Sequence, residues 1–130
     1  MAQPKTILIA EDEAVNRIYF SRVLGKEGFT VEEAINGAEA VKMALENSYD
    51  LILMDIKMPL LSGLDATKKI RRLEGDLHRH TPIIALTSYT YPDDIEEYRE
   101  AGMDDYLPKP LNNRKLLATV HRFLFPLDQS

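Results

Sequence analysis

Glu11, Asp12, Asp55, Thr87 and Lys109 are the side chains of this 130-residue sequence whose types could do chemistry together. Leu51-Ile52-Leu53-Met54 runs straight into Asp55, and Pro59 ends the segment four residues later. A short, unalternating apolar run suits a strand buried on both faces, as in a parallel sheet. Burying a carboxylate inside such a strand would be costly. Asp55 is therefore expected at the strand's C-terminal end, facing a crevice, as a nucleophile or metal ligand. In open parallel sheets that edge is where ligands bind. Three carboxylates gathered there would repel one another unless a hard cation sat among them. Mg²⁺ suits such a place, because it takes few protein oxygens and keeps several waters. A lysine and a hydroxyl opposite supply the point charge and donor that a tetrahedral anion needs. Together these groups describe phosphoryl transfer onto an aspartate.

The elements that must position them alternate between apolar strand-like runs and amphipathic helical segments, five times over. Thr6 to Ala10 is the first strand and ends in Glu11-Asp12-Glu13. A helix from about Ala14 to Lys26 follows, with Val15, Ile18, Tyr19 and Val23 expected to face the sheet; Gly25 and Gly28 end it. Phe29 to Ala34 alternates Val31 with glutamates and is placed at the sheet's edge. Asn36 then caps a helix with Glu39 at its third position, and Ala38, Val41 and Leu45 are expected inward. Ser62-Gly63-Leu64-Asp65 opens a third helix, to about Glu74, before a polar loop from Gly75 to Thr81. His78 and His80 in that loop have no third ligand near them in sequence, so no metal site is expected there. Ile83 to Leu86 is a buried strand ending at Thr87-Ser88. Pro92 starts a helix with Asp93 and Asp94 near its positive end, and Gly102 stops it. Asp105-Tyr106-Leu107 is the last strand, before Pro108-Lys109-Pro110. A final helix from about Asn112 to Phe125 buries Leu116, Leu117, Val120 and Leu124. Right-handed crossovers make this a three-layer α/β/α sandwich.

Composition narrows the classes further. A hydrophobic content of 45% and a charged content of 28% are ordinary for a soluble globular domain. The absence of cysteine excludes disulfides and thiolate metal sites. No apolar stretch approaches membrane-spanning length. A formal charge of -5 argues against nucleic acid as the direct partner. The expectation is a cytoplasmic, monomeric domain with no membrane contact.

The ordered set Glu11-Asp12, Met54-Asp55-Ile56-Lys57-Met58-Pro59 with Gly63, Thr87, and Tyr106-Leu107-Pro108-Lys109-Pro110 resembles the receiver domain of two-component response regulators. The resemblance runs from Lys5 to about Leu124, and the Met54 and Gly102 segments are similar to hybrid histidine kinase receivers. It implies a doubly wound, flavodoxin-like α/β/α sandwich with a five-stranded parallel sheet of order 2-1-3-4-5. By position, Asp55 resembles the phosphoacceptor. Asp12 would ligate Mg²⁺ directly, Glu11 would act through a metal-bound water, and the Lys57 carbonyl would complete the ligands. Lys109 would pair with the phosphoryl oxygens, and the Lys109-Pro110 bond is expected to be cis. Thr87 would swing toward the phosphoryl group and Tyr106 would turn inward behind it, while Ser88 matches a position kept small for phosphate entry. Lys57 and Tyr89 match positions that tune phosphoryl lifetime. The implied partners are a histidine kinase or a histidine phosphotransfer domain as donor. A downstream protein would read the face made by the Pro92 helix, the Tyr106 strand and the final helix.

Taken singly, each residue has a plain structural reading: an acidic helix start, a strand-end hydroxyl, a half-buried aromatic, a solvated loop lysine. Five such coincidences in order are not expected. An aspartate-nucleophile phosphohydrolase of the haloacid dehalogenase type is disfavoured, since Lys57 stands where its second acid belongs. A flavodoxin-like cofactor binder is disfavoured by the lack of a hydroxyl- and glycine-rich phosphate cradle. Because the sequence ends at Ser130, just past the last helix, a single receiver domain over 1–130 without an output domain is expected, either stand-alone or cut from a hybrid kinase, acting as a switch and not as an enzyme with turnover.

Overall fold

Five strands and five helices alternate along the chain in this computed structural model, which describes residues 4–77 and 79–126. The order is β1 (Thr6–Ala10), α1 (Ala14–Lys26), β2 (Thr30–Ala34), α2 (Gly37–Glu46), β3 (Leu51–Asp55), α3 (Gly63–Leu77), β4 (Ile83–Thr87), α4 (Pro92–Ala101), β5 (Asp105–Pro108) and α5 (Asn113–Leu124). All strand pairs are parallel and the sheet runs β2-β1-β3-β4-β5. The expected sandwich and strand order are therefore observed, with β2 on an edge as its glutamates required.

The pleat sorts each strand's side chains into two cores. Leu51 and Leu53 of β3 join Ile7, Ile84, Leu86 and the α1 and α5 residues Phe20, Leu24, Leu116 and Val120. Ile52 and Met54 point the other way, to Ala40 of α2, Ile70 of α3 and Tyr98 of α4. Both faces of β3 are covered, so the run had no reason to alternate. With side chains alternating at a period of two, Ala85, Thr87 and Tyr106 belong to the α4 side.

Two helices bury faces other than those expected. Val15 is 80% exposed and Ile18 and Tyr19 are each over 40% exposed, while α1 buries Phe20 and Leu24. Ile18 lies two residues from Phe20, about 200° around the helix, so both cannot face the sheet. Apolar residues occur all round α1, and the larger Phe20–Leu24 pair at i, i+4 settles the phase. Val23 is half-buried against them. In α2 the inward set is Gly37 and Ala40, with Val41 and Ala44 half-buried; Ala38 and Leu45 are exposed. The capping prediction there holds: Glu39 N–H donates to Asn36 Oδ1 at 2.7 Å.

The predicted polar loop after Glu74 is shorter than expected, because α3 continues through Gly75 to Leu77. A glycine inside a helix costs about 1 kcal/mol, and a polar network offsets it. Arg71 donates to Glu74 Oε1 at 2.6 Å, Thr81 O at 2.7 Å, Gly102 O at 2.8 Å and Asp104 Oδ2 at 2.8 Å. Glu74 in turn accepts from Thr81 N–H at 2.9 Å, and Asp104 from Ile83 N–H at 2.8 Å. This knot ties α3 to the start of β4 and the turn before β5. His80 contacts the same Asp104, Nε2 to Oδ1 at 2.8 Å; His78 lies outside the described residues.

Candidate functional site

Parallel strands place all their C-terminal ends on one edge, and the loops leaving β1, β3, β4 and β5 carry the predicted residues to it. Asp55 ends β3 only 4% exposed, and Glu11, directly after β1, is fully buried. Ligand oxygens of Glu11, Asp12 and Asp55 all lie within 4.8 Å of one another. Lys109, after β5, reaches in from the other side. Its Nζ is 3.1 Å from Asp55 Oδ2 and 3.4 Å from Glu11 Oε1. The Lys109-Pro110 peptide is cis, as expected.

Backbone packing fixes these positions. Arg17 of α1 donates to the carbonyls of Glu11 at 2.8 Å and Asp12 at 3.3 Å, holding the acidic loop from behind. It is anchored on Glu33 of β2 at 3.0 Å. After β3 the chain turns at Leu60, with a φ of 69°. Gly63 N–H then donates to Ile56 O at 2.8 Å, closing the loop on itself. A Cβ on Gly63 would sit 2.0 Å from the Asp55 carbonyl oxygen, so only glycine lets α3 start against the end of β3. Gly37 plays the same part beneath the loop, 2.0 Å from Leu61 O by the same construction.

The electrostatics are those of a crowded acid site with the Lys109 ammonium set against it. Burial, followed by the neighbouring Asp55 carboxylate, pushes the Glu11 carboxyl up to about 7. Burial alone would depress the Lys109 ammonium, but the Asp55 and Glu11 carboxylates outweigh it and hold its pKa above the ordinary lysine value. A lysine is thus kept charged against Asp55, and a proton or a cation is favoured among the acids. A cleft of about 340 Å³ opens above them, lined by Asp12, Asp55, Lys57, Thr87, Tyr89 and Lys109 among others.

Most predicted site residues therefore converge. Lys57 and Tyr89 pair directly: Nζ donates to the phenol at 2.8 Å and lies 4.3 Å from the ring centroid. Lys57 N–H faces Asp55 Oδ1 at 3.4 Å. Ser88 lies at the cleft mouth. Tyr106 is half-buried on the α4 side, away from the carboxylates. Thr87 is 2% exposed, and its hydroxyl bonds Tyr98 OH at 2.7 Å. Sequence reasoning missed Tyr98, Arg17 and Arg71. Arg17 had a faint signal, standing at the right helical offset to fold back over Glu11-Asp12; Tyr98 and Arg71 had none.

The sequence model of the response regulator receiver domain family matches residues 7–121. The chain is 40% identical over 123 residues to hybrid signal transduction histidine kinase I of Dictyostelium discoideum, covering 91% of this chain. It spans only 7% of that protein's length. Among solved structures, it is similar to the receiver domain of a sensor histidine kinase from Pseudomonas aeruginosa, which carries magnesium in its active-site cleft. That match has a TM-score of 0.84 and 38% identity, covering 93% of this chain and 98% of the other. A second is the co-crystal of the Saccharomyces cerevisiae histidine phosphotransfer protein Ypd1 with the receiver domain of Ssk1. Its TM-score is 0.85 with 32% identity, covering 95% of this chain and 91% of that one.

Proposed function

The chain belongs to the response regulator receiver family and is a module of two-component phosphorelay signalling; on that premise we propose that Asp55 accepts the phosphoryl group. The observation that carries this reading is the Lys109 ammonium 3.1 Å from a nearly buried Asp55 carboxylate, at the edge of a cleft of about 340 Å³. Asp55 is the attacking oxygen, held by its place at the end of β3. Lys109 stands ready to pair with the incoming phosphoryl oxygens. Thr87 and Tyr106 report the new charge to α4, β5 and α5, the face that a downstream partner reads. Lys57 and Tyr89 cover the cleft and set how long the acyl phosphate lasts.

Mg²⁺ fits the acid cluster, since three carboxylate oxygens within 4.8 Å match the few oxygen ligands it takes. Asp12 and Asp55 would hold it directly, Glu11 through water, and the Lys57 carbonyl as a further ligand. Bound there, it would neutralise charge on the phosphoryl oxygens. Receiver domains are signalling modules, and the only reactions assigned to this one are its own phosphorylation and dephosphorylation. The donor is a phosphohistidine, on a kinase or on a phosphotransfer domain such as the one seen with the yeast relative. No described helix is long and apolar enough to cross a membrane, and we place the reaction in the cytoplasm. The test is phosphorylation by acetyl phosphate with Mg²⁺, followed by intact mass. Wild type gains one phosphoryl group, whereas Asp55→Asn, nearly isosteric, gains none. Equal labelling of the two proteins would show that the acceptor lies elsewhere.

A further inference from the structure

The Thr87 hydroxyl carries one proton and can therefore donate one hydrogen bond. That proton is already committed. Tyr98 of α4, 4% exposed, places its phenol oxygen 2.7 Å from Thr87 Oγ1 and 2.6 Å from the Tyr89 carbonyl oxygen. A carbonyl cannot donate, so the Tyr98 proton goes to Tyr89 O in the shorter of these contacts. Thr87 must then be the donor to Tyr98. Its lone pairs are used as well, since Tyr89 N–H donates to Thr87 Oγ1 at 2.9 Å. The one alternative sends the Thr87 proton to Tyr89 O at 3.3 Å while Tyr98 donates to Thr87. In either arrangement the proton stays within the Thr87–Tyr89–Tyr98 triad, on the α4 side of the sheet.

The geometry points to Tyr98 as a positioning residue for the phosphorylation switch: its phenol latches Thr87 to α4, and Thr87 reaches a phosphoryl group only by releasing it. This rests on the reading of Asp55 as phosphoacceptor. The latch is asymmetric in cost. When Thr87 leaves, Tyr98 keeps its bond to Tyr89 O, so the buried phenol is not orphaned; the bonds lost are the neutral one between Thr87 and Tyr98 and the one from Tyr89 N–H. Tyr98 also lines a cavity of about 170 Å³ with Ile95, Met103 and Tyr106. Movement of Thr87 therefore loosens a side chain of α4 that lines the same cavity as Tyr106. The link from Asp55 to α4 runs through this phenol as well as through the β4–β5 strand pair.

The test uses the intact chain with Mg²⁺ and beryllium fluoride as the acyl-phosphate mimic, with affinity read by calorimetry. Removing one buried neutral hydrogen bond that holds only the resting state should tighten Tyr98→Phe about fivefold. In a Thr87→Val background the same substitution should change nothing, because the latched group is gone. Tyr49→Phe is the control, since it removes another buried phenol, bonded to Glu32 at 2.7 Å, far from Thr87 in the chain; its affinity should equal wild type. In metal-free protein the Tyr89 amide, which loses its acceptor when Thr87 swings, should exchange about fivefold faster in Tyr98→Phe only. If wild type binds the mimic and Tyr98→Phe binds it equally, the latch is overturned and the phosphoacceptor reading stands. If the gain persists in Thr87→Val, Tyr98 acts on something other than Thr87 and the latch is again overturned. If wild type and Asp55→Asn fail alike to bind, the functional reading itself falls.

Discussion

Stability of the metal-free protein should fall as pH rises from about 4.5 to 7, and Glu11 should be the cause. Its carboxyl is raised from 4.5 to about 7, by burial first and then by Asp55. A raised pKa means that the folded state binds this proton more tightly than the unfolded chain does. The contribution is fully present below the unfolded value and is lost as pH climbs through the folded one. The slope between those limits is about 1.4 kcal/mol per pH unit, so the whole loss is on the order of 3 kcal/mol. Urea unfolding in EDTA at several pH values, run beside Glu11→Gln, isolates the effect, because other titrating groups cancel in the difference. Glu11→Gln should be more stable than wild type by about 3 kcal/mol at pH 8 and equal to it near pH 4. Magnesium reverses the preference, since it needs the carboxylates ionised. Calorimetry at pH 6.5 in two buffers of different ionisation enthalpy should show proton release on binding. A pH-independent difference between the two proteins would refute the argument, whatever its size.

The other expectations are more direct. With Mg²⁺ about a hundredfold above its dissociation constant, linkage stabilises wild type by about 2.7 kcal/mol. Asp12→Ala should lose most of the corresponding rise in melting temperature, and an unchanged rise would remove Asp12 from the ligand set. Tyr89→Ala should shorten the acyl-phosphate half-life severalfold, because the ring held over the cleft by Lys57 shields it; release as slow as wild type's or slower would dispose of the shielding role. Arg71→Ala should cost roughly 3–5 kcal/mol in urea unfolding, because it leaves the buried Glu74 carboxylate without its partner. Arg71→Met combined with Glu74→Gln should recover much of that loss, and a single-mutant cost below about 1 kcal/mol would mean that the knot contributes little.

The sheet and the site edge were legible in the sequence because both depend on local pattern. An apolar run four residues long that meets a carboxylate places that group at the strand end, where Asp55, though only 4% exposed, has Lys109 beside it and borders the cleft. The same reasoning, repeated at Ala10, Leu86 and Leu107, put Glu11, Thr87 and Lys109 on one edge. Crossover handedness and a parallel sheet then left few ways to arrange the layers. The phase of α1 was not legible, because Val15, Ile18 and Tyr19 compete with Phe20 and Leu24 on a helix apolar on every side. Only packing on β1 and β3 chooses between them. The extension of α3 past Gly75 was likewise decided by Arg71, whose partners Gly102 and Asp104 lie about thirty residues away in the chain. Tyr98 is the sharpest case. In sequence it is one aromatic on an acidic helix, and its meaning comes from the pleat turning Thr87 toward α4, where a phenol and a hydroxyl eleven residues apart meet at 2.7 Å.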